Sequence, residues 1–143
     1  MRRVLLALTI SASLIGLPAT AADLTGSWTL TSNAKKPDGT AACTERWTFG
    51  PGGKGGLESG SEKAEFTWRT EDKSGHTLLG RTKTKTNRAP DCTGDRSPEP
   101  NGREVLLEVV SASDGTVTVC PPPRVIVGVT VTAGCFARMR RAP

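Results

Sequence analysis

Residues 24–30 read LTGSWTL, and this stretch sets the pattern for most of the chain that follows. Its even-numbered positions, from Leu24 to Leu30, are apolar residues or glycine, whereas its odd-numbered positions carry hydroxyl groups. A period of two places alternate side chains on opposite faces of a β-strand. The stretch therefore predicts the first strand of a sheet that has one buried face.

The same alternation recurs along the chain and predicts seven further strands. Together with residues 24–31, the predicted strands cover residues 46–49, 63–70, 76–86, 103–110, 115–120, 124–132 and 134–141. Turn signals such as Asp114-Gly115 separate most of them, and we interpret the glycine-rich run 50–56 as a flexible hairpin tip. The pattern predicts an all-β fold, a small eight-stranded antiparallel up-and-down barrel, with a β-sandwich as the alternative.

The N-terminus has the three parts of a secretory signal peptide. A basic head (Met1-Arg2-Arg3) precedes an apolar run over residues 4–17, and small residues follow at 19–22. A membrane-spanning helix needs about 20 apolar residues, so the shorter run favours a cleaved signal over an anchor. We predict a signal peptide over residues 1–22, a periplasmic or secreted protein, and a single domain over residues 23–143.

The composition of residues 23–143 fits one small domain of modest charge. This part holds 17 Lys and Arg against 14 Asp and Glu, a net charge of +3. A nucleic-acid-binding domain carries a stronger basic signature, and the chain has six aromatic residues and no Tyr for stacking on bases. We expect no nucleic-acid partner.

Four cysteines, at positions 43, 92, 120 and 135, predict two disulfides in an exported chain. A metal site is the alternative, but no C-x-x-C pair occurs and His76 is the one histidine. In an eight-stranded up-and-down barrel, strand parity places Cys43 at the same end as Cys135 and Cys92 at the same end as Cys120. If Cys120 and Cys135 flank strand seven, they lie too far apart for a bond. We predict Cys43–Cys135 and Cys92–Cys120.

The first predicted strand contains G-x-W, as Gly26-Ser27-Trp28. It resembles the first strand of the calycin superfamily, which includes lipocalins, avidins and small periplasmic inhibitors of bacterial metalloproteases. In lipocalins this Trp closes one end of the barrel against a basic residue near the end of the chain. The resemblance implies structural roles for Gly26 and Trp28, with Arg138 as the stacking partner, and Arg140 and Arg141 also available.

The residues predicted to face the barrel interior form the candidate ligand site. We expect a small hydrophobic or amphipathic ligand to contact six of them: Trp47, Phe49, Phe66, Trp68, Thr82 and Thr84. This prediction assumes that Thr82, Thr84 and Thr86 face inward on the strand over residues 76–86. No nucleophile–base pair, carboxylate pair or metal set stands out, so we expect no catalysis, no cofactor and no metal.

The main hypothesis is therefore an exported, non-enzymatic, lipocalin-like protein that binds a small ligand or a periplasmic protein. The alternative is an inhibitor of a secreted hydrolase or protease, which acts through the loops at one end of the barrel. The basic residues Arg81, Lys83 and Lys85 lie on one face of their strand and offer contact with an anionic membrane surface. We favour a different interpretation, in which they protect an exposed strand from edge pairing.

Overall fold

A computed structural model describes residues 23–143, in which eight antiparallel strands close into a barrel. The strands within these residues are β1 Gly26–Ser32, β2 Thr44–Phe49, β3 Lys54–Ser59, β4 Glu62–Lys73, β5 His76–Thr86, β6 Glu104–Ser111, β7 Val117–Cys120, β8 Arg124–Ile126, β9 Val129–Val131 and β10 Ala137–Arg141. The barrel order is β1-β10-β7-β6-β5-β4-β3-β2. The predicted all-β up-and-down barrel is confirmed, and the predicted signal peptide lies outside the described residues.

Two segments differ from the predicted strands. The glycine-rich run contributes β3, which pairs with both β2 and β4 and is part of the barrel wall. Gly55 serves packing there, because a Cβ at this position would lie 2.6 Å from the carbonyl oxygen of Thr48 and would overlap the ring of Phe66. Residues 124–132, predicted as a barrel strand, instead form the separate hairpin β8–β9, which we call the arm.

These two differences explain why the predicted disulfide pairing is wrong. The bonds join Cys43 to Cys92 and Cys120 to Cys135, with Cα–Cα distances of 5.1 Å and 4.0 Å. Cys92 follows β3 in the chain, so missing β3 placed it at the opposite end of the barrel from Cys43, whereas both lie at the same end. Cys120 and Cys135 flank a hairpin that leaves the barrel and returns, so they meet at its base instead of lying a strand length apart. Two disulfides are typical of proteins in oxidising, extracytoplasmic compartments.

The two ends of the barrel carry different connections. One end, which we call the mouth, holds both disulfides, the arm and the long loop of residues 87–103. The other, the closed end, holds the first described residues, the end of β10 and the turns that join β2 to β3, β4 to β5 and β6 to β7. The core fills the barrel between them with aromatic and aliphatic side chains, among them Phe49, Leu79, Val119 and Met139.

Trp28 covers the closed end, in agreement with the prediction from G-x-W. Its indole nitrogen donates to the carbonyl oxygen of Leu24 at 2.7 Å. The stacking cation is Arg141, whose guanidinium carbon lies 4.2 Å from the ring centroid. Arg138 was the wrong choice, because it alternates with buried Ala137 and Met139 and therefore lies on the outer face of β10. The closed eight-stranded barrel is compatible with a calycin-like fold.

Candidate functional site

The four aromatic residues of the predicted ligand site cluster inside the barrel and pack on one another. The ring centroid of Phe49 lies 6.0 Å from that of Trp47, 5.7 Å from that of Phe66 and 5.1 Å from that of Trp68. Trp47, Phe49 and Phe66 are buried, and Trp68 is partly buried. The structure brings these side chains together as predicted, and they pack as core. Their role in binding a ligand stays a prediction.

The predicted orientation of β5 is wrong. Arg81 and Lys83 point into the barrel and are buried, whereas Thr82 is half-buried and Thr84 is exposed on the outer face. A β-bulge shifts the register opposite Glu65 and Phe66, so Lys85 returns to the exposed face and lies 3.7 Å from Glu65. The predicted basic face therefore does not exist, and Arg81 and Lys83 are not available to a membrane surface.

The buried cations form an ion network with two glutamates beneath the mouth. Lys83 Nζ lies 2.9 Å from Glu62 Oε1 and 3.8 Å from Glu99 Oε2, and Arg81 Nη2 donates to Glu99 Oε2 at 2.7 Å. The side chains of Lys83 and Glu62 are only 2 % and 4 % exposed. Removing charges from water is costly unless each has a partner, and here two positive groups face two negative ones.

Arg81 also joins this ion network to the aromatic core. Its guanidinium carbon lies 4.7 Å from the ring centroid of Trp47 and 5.6 Å from that of Phe66. Such cation–π contacts stabilise a desolvated guanidinium. Three buried polar atoms have no hydrogen-bond partner within the described chain: Arg81 Nε, Arg81 Nη1 and Glu99 Oε1.

The loop of residues 87–103 completes the network from above. Ser97 and Glu99 reach Lys83, and the amide of Gly102 donates to the carbonyl oxygen of Lys83 at 2.8 Å. Asp91 turns this loop by accepting hydrogen bonds from the hydroxyl and the amide of Thr93. These bonds, the hydroxyl's foremost, hold the pKa of Asp91 below its ordinary value.

A cavity of about 410 Å³ lies beside the loop at the mouth. Polar and charged side chains dominate its lining, with Glu62, Arg88, Arg96 and Glu99 among them. None of the six predicted ligand residues lines it. The six predicted ligand residues therefore do not open onto this cavity.

The disulfide Cys43–Cys92 lies beside Glu45 at the mouth. Glu45 accepts hydrogen bonds from the indole of Trp47 at 2.6 Å and from the hydroxyl of Ser59 at 3.0 Å. The two sulfurs and the carboxylate lie within 4.8 Å of one another, which is close enough to hold a metal ion. Because the sulfurs are bonded to each other, they are not thiolates, which are the form that binds metals.

The arm is the most exposed apolar feature of the described chain. Its side chains Val125, Ile126, Val127, Val129 and Val131 range from 45 % to 98 % exposed, and Phe136 near its base is 43 % exposed. Ile126 pairs with Val129, and Arg124 pairs with Val131. The aliphatic side chains of Ile126, Val129 and Val131 therefore share one face of the arm. Cys120–Cys135 closes the base, and Pro121-Pro122-Pro123 stiffens the entry.

The tip of the arm is a two-residue turn at Val127 and Gly128. Both have positive φ, 51° and 78°, which is the backbone of a tight type I′ hairpin. Gly128 suits this turn, but a β-branched residue rarely adopts such a φ. Val127 is therefore a strained residue that is almost fully exposed, and outliers of this kind are concentrated at functional sites.

Sequence reasoning missed both the ion network and the arm. The arm left a signal, namely two cysteines that enclose three prolines, a Val-Gly pair and a valine-rich run with one charge. The ion network left none, because Glu62 and Glu99 are 37 positions apart and only the loop over the mouth brings them together.

Comparison with models of known protein families, with curated proteins and with solved structures finds no match for this chain. Within residues 23–143, no helix has the length and apolar character that a membrane span requires.

Proposed function

We propose that this protein is an exported, non-enzymatic binding protein that holds a partner protein through the arm. The observation that supports this most is the row of exposed aliphatic side chains on a hairpin that has no packing partner among the described residues. Contiguous exposed apolar surface in a soluble domain commonly marks an interaction site.

Rigidity of the arm favours specific recognition. The disulfide at its base and the three prolines restrict its position before any partner binds. Ordering a flexible loop on binding costs free energy, so a preorganised hairpin binds more tightly than a mobile one of the same sequence. The tight turn at Val127 adds to this restriction.

A partner other than a second copy fits the arm better. Each of its strands has three residues, so pairing between two arms would bury far less than the roughly 1,200 Å² that stable interfaces need. A partner with an apolar cleft would cover both faces of the hairpin and its tip. The binding of a small ligand inside the barrel is less favoured, because Trp47, Phe49 and Phe66 fill the interior by packing on one another.

A photo-reactive amino acid at Val127 tests the proposal in the intact, oxidised protein. The control carries the same group at Val110, which is 48 % exposed on the barrel wall. We expect one discrete protein of the cell envelope or medium to cross-link at position 127, not at 110, and to be lost in the variant Ile126→Lys/Val129→Lys. Equal capture at both positions, capture that survives that variant, or cross-linking only to a second copy would overturn the proposal.

Inhibition of a secreted hydrolase is the second candidate function. The almost complete exposure of the Val127 tip on a narrow hairpin favours it, since such a tip fits an enzyme cleft. If the captured partner is a hydrolase, the protein should inhibit it at equimolar ratio and Val127→Lys should abolish inhibition. A captured hydrolase whose activity is unchanged at saturation would exclude this function and leave partner binding intact.

A further inference from the structure

The outer face of β10, β1 and β2 carries three arginines arranged around threonine hydroxyls. In the sheet register, Arg140 lies opposite Thr29, and Thr29 lies opposite Arg46 on its other side. Two positions along, Arg138 lies opposite Thr31. Neighbouring strands are about 4.8 Å apart, so Arg140 and Arg46 flank Thr29 and their Cα atoms lie about 10 Å from each other.

A groove of about 380 Å³ lies on this face. Thr29, Thr31, Arg138, Arg140 and Arg141 line it, and no acidic side chain does. Arg141 is committed to Trp28 and to the carbonyl oxygens of Asp23 and Thr25. The groove therefore combines two guanidinium groups that are free to bind with two hydroxyl groups, all of which can donate hydrogen bonds.

The arginines of this face are not held in direct ion pairs with acids of the described chain. Arg46, Arg138 and Arg140 form no ion pair there, unlike Arg69, which lies 2.8 Å from Glu104 on another wall. Glu58 lies opposite Arg46 in the register, but its ion pair is with Lys63 at 3.8 Å. Asp114 lies near enough to attract Arg140 electrostatically, but the two side chains form no ion pair, and the Asp114 carboxylate accepts a hydrogen bond from the amide of Thr116.

Guanidinium groups match ligands with several oxygens, because their planar forks donate paired hydrogen bonds to carboxylate and phosphate. The hydroxyl of Thr29, which lies opposite Arg140 in the register, supplies a further donor in the groove. A tetrahedral oxyanion has enough oxygens to accept from Arg138, Arg140 and Thr29 at once. We propose that this groove binds a phosphate or sulfate group, either free or carried by a lipid headgroup.

This inference is independent of the proposed function, since the groove lies on the barrel wall and shares no residue with the arm. The probes are inorganic phosphate, inorganic sulfate, and phosphatidylcholine vesicles with and without phosphatidylglycerol, each at low ionic strength. Backbone amide shifts of Thr29 and Thr31 report free anions, and co-sedimentation reports vesicles. We expect saturable shifts at both threonines with phosphate or sulfate, whereas chloride at the same ionic strength should give none.

Two matched variants make the test specific. Arg138→Gln/Arg140→Gln should abolish the shifts, whereas Lys35→Gln/Lys36→Gln, with the same change of charge on exposed loop residues, should preserve them. Thr29→Val should weaken binding about tenfold, the loss expected for one hydrogen bond to a charged group, and Thr67→Val on another wall should not.

The source of the anion follows from comparing the probes. Vesicle binding that requires phosphatidylglycerol and both arginines supports a lipid headgroup, and shifts with free anions alone support a soluble one. The proposal is overturned if free anions do not shift Thr29 and Thr31 and vesicles with phosphatidylglycerol do not bind, or if the two charge variants lose binding equally. Loss of arm cross-linking would not affect this result.

Discussion

The two ends of the barrel are stabilised by opposite chemistry. At the closed end, the indole of Trp28 lies between the guanidinium of Arg141 and the apolar core, and its nitrogen donates to the carbonyl oxygen of Leu24. At the mouth, two cations and two carboxylates are buried under a loop that a disulfide ties to the rim. The closed end depends on burial of apolar area. The mouth depends on every charge keeping its partner, so its stability is more sensitive to single substitutions of polar residues.

The closed end should show the largest effect of a single truncation. Trp28→Ala removes a buried ring, its hydrogen bond and its cation–π contact, and should lower the free energy of unfolding by about 4 kcal/mol, as for other buried aromatic residues. Urea unfolding followed by far-UV circular dichroism measures this. Trp28→Phe should retain most of the stability, and equal losses in both variants would show that the indole hydrogen bond dominates the closed end.

The mouth should respond almost as strongly to the loss of one charge. Glu62→Gln leaves Lys83 with a neutral partner at 2.9 Å, and should cost about 3 kcal/mol because Lys83 and Arg81 then share one carboxylate, that of Glu99. Glu62→Gln/Lys83→Met should recover much of this loss. Glu58→Gln breaks the exposed pair with Lys63 and serves as the control, with an expected change below about 0.5 kcal/mol. Equal effects of the two Glu→Gln variants would contradict the comparison.

The wall near the closed end should show a smaller, steric effect. Gly55→Ala introduces a Cβ against the ring of Phe66 and the Thr48 carbonyl, and overpacking of this kind costs about 2 kcal/mol. Gly56→Ala is the neighbouring control, since its Cβ would meet nothing closer than 3.8 Å. Thermal unfolding of the two variants separates packing from the general loss of glycine flexibility, which would affect both equally.

Alternation along the chain was sufficient to predict the barrel but not its charged interior. On β5, Leu78 and Leu79 are both apolar and both buried, so a period of two gives no preference for either face. Residues distant in sequence determine which face of β5 points inward. Arg81 packs on the rings of Trp47 and Phe66, and Lys83 forms an ion pair with Glu62. Apolar patterning cannot represent a cation whose burial is compensated by groups elsewhere in the sequence.

The missed strand and the arm follow from similar limits. In β3, Gly55 and Gly56 have no side chains, so half of the alternation is absent from the sequence although the backbone pairs on both sides. In residues 124–131 the alternation is strong, but it describes a hairpin that folds back at Val127-Gly128. Strand character was predicted correctly there. A strand can join the barrel only where a neighbouring strand has an unpaired edge. The local sequence pattern does not indicate whether such an edge is available.

The smallest expected effect is on the titration of Asp91, in the loop over the mouth. Hydrogen bonds from Thr93 lower the pKa of Asp91 from its ordinary value of 3.8, so the charged form is the one that stabilises the loop. A lowered pKa gives a contribution that is complete above the ordinary value and is lost as the pH falls through the folded one. Carboxyl titration by NMR should place the midpoint of Asp91 below 3.8, and Thr93→Val should raise it. Asp114 at the closed end, whose bonds come from Thr116, should be unaffected by that substitution. If the midpoint of Asp91 does not move in Thr93→Val, the hydroxyl of Thr93 does not stabilise the charged form of Asp91.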